Sequence, residues 1–234
     1  AGIRFIHING AKTVKKYIFE AKGGGVGLFD YDNDGWLDMW LVQGSTVERF
    51  RRGDNPHGAL YRNRRDGTFQ DVTRKAGLTE PGWGMGVTFA DYDNDGLLDA
   101  YVAHFASDFS TLYHNGGGLS FRDVTGPAGI QSSEWLLVAW GLRFLDVNND
   151  GWKDILHSNG HVYPFLTYTP TREEYGQPGT LYMNQKDGTF AAVGEQAGPD
   201  FMEKTVSRGV AFGDFDNDGD FDFCVANMNG EPQL

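Results

Sequence analysis

The chain has 234 residues, 40% hydrophobic and 14% aromatic, enough to bury a substantial core in one all-β domain. No run approaches about eighteen apolar residues, which excludes a transmembrane segment, and a formal charge of −12 excludes a basic nucleic-acid footprint. The lone Cys224 rules out an internal disulfide, and its apolar surroundings predict a buried, inert thiol.

In chain order, the first unit opens with glycines at 23–27 and a short apolar run, Val26 to Phe29. The acidic stretch Asp30-Tyr31-Asp32-Asn33-Asp34-Gly35-Trp36-Leu37-Asp38 follows, and then Met39 to Val42. Leu60-Tyr61-Arg62-Asn63, an Asp66-Gly67 turn and Phe69 to Thr73 come next, and Ala76-Gly77-Leu78 closes the unit. The second unit repeats this with Val87 to Ala90, Asp91 to Asp99, Ala100 to Ala103, Leu112-Tyr113-His114-Asn115 and Ala128-Gly129-Ile130. The third has Leu142 to Leu145, Asp146 to Asp154, Ile155-Leu156, Leu181-Tyr182-Met183-Asn184 and Ala197-Gly198. The fourth reaches Val210 to Phe212, Asp214 to Asp222 and Phe223 to Ala226. Short β-prone runs bounded by Gly and Asp predict strands, four to a unit.

The acidic template is D-x-[DN]-x-D-G-x-x-D, and its starts lie 61, 55 and 68 residues apart. Oxygens at places one, three and five line one side of a tight turn, which the glycine at place six bends through a positive φ. Place seven offers a backbone carbonyl and place nine a closing carboxylate. The predicted metal ligands are therefore Asp30, Asp32, Asp34, Trp36 and Asp38; Asp91, Asp93, Asp95, Leu97 and Asp99; Asp146, Asn148, Asp150, Trp152 and Asp154; and Asp214, Asp216, Asp218, Asp220 and Asp222. An EF-hand needs a Glu at place twelve, where this chain has Leu41, Val102, His157 and Val225. The loop is shorter and belongs in a β-hairpin.

Asp-Gly turns between strands are common, but four copies keep every acidic place and Asn148 alone replaces one with another oxygen donor. Closely packed carboxylates favour a hard dication, so up to four Ca²⁺ are expected, the third loop binding most weakly. Fifteen aspartates stand at places one, three, five and nine; without them the formal charge would be +3, and with four Ca²⁺ the chain would carry about −4.

Radially repeated four-stranded sheets make a β-propeller, and the expected fold is an all-β propeller with about four repeat units, roughly 23–78, 83–130, 137–199 and 206–234, in one domain or partial propeller over 1–234. The Gly-rich stretches at 23–27 and 82–86 suit its crowded hub better than a phosphate cradle, since no P-loop Lys or helix follows.

Gly23-Gly24-Gly25-Val26, the Leu-Tyr-x-Asn and Asp-Gly-Thr-Phe segments, Asn159-Gly160-His161-Val162-Tyr163-Pro164 and Ser207-Arg208-Gly209 carry a resemblance across nearly the whole chain. It resembles the FG-GAP or VCBS-type repeats of integrin α-like propellers, most closely the ASPIC/UnbV-associated, cartilage acidic protein-like branch. The resemblance implies fold and metal more than activity. Propellers of this family are commonly seven-bladed, which makes a segment of a larger propeller the expectation. The alternative is a four-blade ring in which Ile3 to Asn9 completes the last blade.

No catalytic residues are assigned. His157 and His161 are four apart but flank a turn, so no helix aligns them as zinc ligands, and His104 and His114 are read as structural. The insertion His161 to Gly179, with Tyr163, Phe165, Tyr168 and Tyr175, either meets a glycan or protein partner or packs over a neighbouring blade. Its counterpart, Ser45 to His57, carries an Arg52-Gly53-Asp54 triplet. The expected function is a calcium-binding module for protein or glycan binding, or a subunit of a larger assembly. A propeller lyase or hydrolase acting on polysaccharide is the alternative, and ionisable groups in the central funnel outside the loops would mark it. Weak carboxylate sites suit an extracellular or periplasmic setting, although no signal peptide is visible.

Overall fold

The computed structural model describes residues 1–12, 14–17, 20, 23–79, 81–130, 135–168 and 172–234. Among them, strands β1 (Val26–Phe29), β2 (Asp38–Leu41), β3 (Ala59–Asn63) and β4 (Phe69–Asp71) form one antiparallel sheet in sequence order. The second sheet comprises β5 (Gly84–Ala90), β6 (Asp99–His104), β7 (Thr111–Asn115) and β8 (Phe121–Asp123), and the third β9 (Ala139–Leu145), β10 (Asp154–Asn159), β11 (Thr180–Asn184) and β12 (Phe190–Ala192). A two-stranded sheet of β13 (Ser207–Gly213) and β14 (Asp222–Asn227) follows. The described helices are short: α1 (Val47–Arg52) and 3-10 turns at Pro164–Tyr168 and Gly194–Ala197. No described helix is long and apolar enough to cross a membrane.

These sheets are propeller blades. Each acidic loop joins the first two strands of its sheet, as in the pairing of Phe29 with Asp38 and Ala90 with Asp99. In an antiparallel meander all such hairpins lie at one end of the strands, and the β2–β3, β6–β7 and β10–β11 connections lie at the other. Aromatic and aliphatic side chains fill the space between blades. Phe29, Trp40, Leu60 and Val72 of the first blade bury against Val102, Tyr113 and Phe121 of the second, and the Phe29 and Phe89 rings stack at 3.8 Å. The second and third blades meet through Tyr101, Leu112, Phe144, Ile155, Tyr182 and Phe190.

The inner strands approach closely at the hub. A Cβ on Gly25 would lie 2.8 Å from the Cα of Gly86, which explains the glycines there better than any ligand does. Strand β1 begins at Val26 and β5 at Gly84, so only part of each Gly-rich stretch is strand.

The closing Ala-Gly of the first and second units docks on the outer strand of the next blade. Phe121 N donates to Ala76 O and Phe190 N to Ala128 O, both at 2.9 Å, and Phe69 N donates to Ala1 O at 2.8 Å. Ala1 thus stands where Ala76 and Ala128 stand in later units. The segment after it lies on the first blade, Ile8 N donating to Gln43 Oε1 and Gly10 N to Ser45 O. This corrects the reading of Ile3 to Asn9 as completing the last blade, because docking Ala1 on β4 carries the residues after it onto that sheet.

Cys224 is exposed, not buried as its apolar neighbours suggest. It pairs with Ala211 of β13 in a two-stranded sheet, and among the described residues the other edge of β14 is met by an isolated bridge between Val225 and Gln233 and by no full strand.

Candidate metal centres and the opposite face

All four loops are built alike. The carboxylate at place one accepts the backbone N–H groups of places five and six: Asp30 from Asp34 and Gly35 at 2.9 and 2.7 Å, with Asp91, Asp146 and Asp214 repeating the pair. The carboxylate at place five accepts the N–H of place seven, as Asp34 does from Trp36 and Asp95 from Leu97. This tight winding puts the glycines of place six at φ +85 to +96 and the asparagines of place four at φ +53 to +61. Asn tolerates that region better than most residues, which accounts for its fourfold use.

Place nine is buried in the first three loops and half-buried at Asp222 in the fourth. Asp38, Asp99 and Asp154 are each at most 1% exposed. One oxygen of each accepts the N–H of place two (Tyr31, Tyr92, Val147), and the other accepts the N–H of the Leu-Tyr-x-Asn asparagine (Asn63, Asn115, Asn184) at 2.8 Å. Burial pushes Asp38 up to about 6 and Asp99 to about 8, and also raises Asp154, although those N–H donors pull the other way. Burial likewise raises Asp32 and Asp93, and Asp32 Oδ1 is buried with no hydrogen-bond partner.

Carboxylate oxygens of Asp30, Asp32 and Asp38 lie within 4.8 Å of one another, as do those of Asp91, Asp93 and Asp95, and of Asp214, Asp216 and Asp218. In the third loop Asn148 Nδ2 donates to Asp150 Oδ2 at 3.0 Å. Crowded, partly desolvated oxygens with one orphaned acceptor are the donor set a hard divalent cation fits.

Cationic side chains also reach these loops, which motif spacing alone does not reveal. Arg62 Nη2 is 2.6 Å from Asp32 Oδ2 and 3.4 Å from Asp34 Oδ2, while Arg65 Nη2 is 2.8 Å from Asp34. His114 Nδ1 lies 3.1 Å from Asp93 and 3.4 Å from Asp99, and Lys186 Nζ 3.1 Å from Asp150. The His114 ring thus joins Asp93 and Asp99 in a cluster of metal-ligand type, a contact that its position between two strands does not reveal. The available signal was the variable place of Leu-Tyr-x-Asn, occupied by Arg62, His114 and Met183.

The loops are also tied to each other. Place-four amides donate to the place-six carbonyl of the next loop: Asn33 Nδ2 to Gly96 O at 2.7 Å, and Asn94 to Gly151 O and Asn149 to Gly219 O at 3.4 Å. In the reverse direction, Asn115 Nδ2 donates to Tyr31 O at 2.8 Å and Asn184 Nδ2 to Tyr92 O at 2.7 Å.

At the opposite end of the strands, the two non-repeated segments of the sequence come together. Phe50 and Arg51 of α1, Trp83, Phe105, and Tyr163 and Glu173 of the insertion help line a cavity of about 330 Å³. Phe165 and Tyr168 are 53% and 88% exposed beside it in sequence; Thr169, Pro170 and Thr171 of the insertion lie outside the described residues. Tyr175 packs elsewhere, its hydroxyl 3.8 Å from Met228 Sδ. Arg52 and Asp54 of the Arg-Gly-Asp triplet pair with each other at 3.0 Å. His157 and His161 are both buried, the first bound to Asn159 Oδ1 and the second accepting the N–H of Tyr163, and they share no metal-ligand cluster among the described residues. The hub-facing hollow over β1, β5 and β9 is lined by Leu28, Val87, Thr88 and Leu142, with Asp30 and Arg143 as its ionisable members.

Four-stranded meanders with acidic first hairpins, packed blade on blade through aromatic side chains, define a β-propeller repeat protein. The profile described as FG-GAP-like repeat matches residues 30–102 and 168–225, more than half of the chain. The chain belongs to the FG-GAP-like repeat family. Human cartilage acidic protein 1 is 26% identical over 182 residues, covering 72% of this chain and 27% of that protein. The mouse protein of the same name is 26% identical over 228 residues, covering 90% and 32%. The chain therefore spans about a third or less of the length of these relatives. A solved structure described for specific recognition of non-reducing terminal N-acetylglucosamine by an Agrocybe aegerita lectin aligns at 20% identity with a TM-score of 0.45, covering 85% of this chain and 45% of that one.

Proposed function

We propose that this chain is a calcium-stabilised propeller module of an extracellular or periplasmic protein, and that it binds a protein or glycan partner or helps to scaffold a larger assembly. The observation that carries the metal assignment is the oxygen cluster of the acidic hairpins, with the orphaned Oδ1 of Asp32 and the raised carboxylates of Asp38 and Asp99. Side chains at places one, three, five and nine and the carbonyl at place seven would hold Ca²⁺, which supplies charge neutralisation of the loops and no chemical step. Binding is assigned to the opposite face, where loops on a rigid scaffold bring Phe50, Trp83, Phe105 and Tyr163 around one cavity.

Calorimetric titration with Ca²⁺, paired with anomalous scattering from crystals grown in it, tests the metal. Ions are expected in the acidic hairpins; their absence at millimolar Ca²⁺ would overturn the assignment. For the partner, the protein is screened against acidic and neutral glycans and extracellular protein fractions. A hit lost in Phe50→Ala and Tyr163→Ala supports the opposite face, and turnover of a polysaccharide would replace this reading with an enzymatic one.

A further inference from the structure

We propose that Arg62 is a built-in counter-cation that weakens divalent-metal binding at the first acidic loop relative to the second. The proposal rests on the reading of the loops as calcium sites and deepens it by making those sites unequal. Arg62 sits at the variable place of Leu-Tyr-x-Asn on β3, beside the acidic hairpin of its own blade, as His114 and Met183 do in theirs.

What differs is the charge delivered there. The Arg62 guanidinium lies 2.6 Å from Asp32 and 3.4 Å from Asp34, and Arg65 adds a second guanidinium 2.8 Å from Asp34. The carboxylates of places three and five are therefore both engaged by cations from the chain. Arginine stays charged at any physiological pH and its planar fork matches carboxylate oxygens, so it competes for the ligand atoms themselves as well as repelling a dication. In the second loop the same strand position brings an imidazole to Asp93 and Asp99, and no Lys or Arg among the described residues pairs with the loop; in the third, Met183 is neutral and Lys186 touches Asp150 alone. Weakness at the third loop, expected from Asn148, has a different origin: a missing carboxylate instead of an added cation.

The loops carry their own reporters. Trp36 and Trp152 occupy place seven of the first and third loops, where Leu97 stands in the second, so tryptophan-sensitised Tb³⁺ luminescence reads the first loop in a Trp152→Leu background and the third in a Trp36→Leu background. Adding Arg62→Met to the Trp152→Leu protein is expected to lower the half-saturating Tb³⁺ concentration at least about tenfold, the scale of removing one unit charge a few Å from a polyvalent cation. Arg62→Lys, which keeps the charge, should stay within a few-fold of the parent, and Arg62→Gln serves in place of the methionine variant if that fails to fold. An unchanged half-saturation in a folded Arg62→Met or Arg62→Gln protein, with the third loop binding normally, overturns the role of Arg62 alone. Absence of emission at both loops together with no calorimetric heat overturns the calcium reading, and this inference with it.

Discussion

Asn184 joins two blades through one side chain: its Nδ2 donates to Tyr92 O, in the acidic loop of the preceding blade, at 2.7 Å, and to Lys153 O at 3.1 Å in its own. Its backbone N–H meanwhile donates to the buried carboxylate of Asp154. Asn115 makes the same set with Tyr31 O, Leu98 O and Asp99. The asparagine of Leu-Tyr-x-Asn thus fixes the loop of its own blade and that of its neighbour together.

Replacing Asn184 or Asn115 with Ala leaves two carbonyls without that donor, at least one of them buried, and is expected to cost about 2–3 kcal/mol. At this chain length that lowers the melting temperature by roughly 5–10 °C, read by calorimetry. Asn184→Asp should be as damaging, because a carboxylate cannot donate to Tyr92 O. For Asn63, whose amide donates to Leu37 O within its own blade, about 1 kcal/mol is expected.

The place-four asparagines allow backbone strain to be separated from inter-blade bonding. Asn33 stands at φ +53 and donates to Gly96 O in the next loop. Asn33→Gly keeps the left-handed conformation and loses the bond, whereas Asn33→Ala loses both. The alanine variant is expected to be less stable than the glycine variant by about 1 kcal/mol, measured by urea unfolding. Equal losses would mean that the left-handed backbone contributes nothing.

The hub tolerates no side chain at Gly25, since a Cβ would press on the backbone of Gly86 at 2.8 Å. Backbone cannot rotate away as a long side chain can, so Gly25→Ala must shift one inner strand. A loss of about 1–3 kcal/mol is expected in thermal unfolding. Gly35→Ala meets open space but is strained by its φ of +85, so its smaller loss should appear mainly in the first acidic loop.

Burial alone would raise Asp108, yet the His104 ring at 3.2 Å and N–H donors from Trp83 and Phe109 hold it below the usual carboxylate range. A depressed folded-state pKa contributes stability that is present above the unfolded value near 3.9 and lost as pH falls through the folded one. Asp108→Asn is expected to cost about 1–2 kcal/mol at neutral pH, the difference from the parent shrinking below about pH 4. Chemical unfolding at several pH values checks this, and a gap that widened on acidification would contradict it.

Much of this architecture is readable in the sequence because the repeat samples the same physics several times. A single Asp-Gly hairpin is ambiguous, whereas Asp30, Asp91, Asp146 and Asp214 with glycine five residues on mark the first hairpin of each blade. The Phe and Leu-Tyr-x-Asn positions identify strands for the same reason. Three features depend on approach across space, which spacing along one chain does not encode: the Arg62 contact with Asp32, the Asn33 bond to Gly96 O, and the meeting of α1 with the 161–179 insertion. Cys224 departs from its sequence reading because local apolarity does not say whether a strand has a neighbour on each side.

Metal removal connects the acidic loops to the stability of the whole domain. A cation bound by the folded state alone adds RT ln(1 + [L]/Kd), about 2.7 kcal/mol per site at a hundred times Kd. Chelation with EDTA is therefore expected to lower the melting temperature by roughly 5–10 °C for each site that was saturated. Asp95→Ala removes a place-five carboxylate from the cluster of Asp91, Asp93 and Asp95, so it should melt lower in calcium and lose less on chelation than the parent. Asp34→Ala, whose carboxylate is already held by Arg62 and Arg65, should alter the chelation-dependent step less than Asp95→Ala does. Differential scanning calorimetry in calcium and in EDTA measures all three proteins on one scale. A parent melting curve indifferent to EDTA would show that the folded domain draws no stability from bound metal.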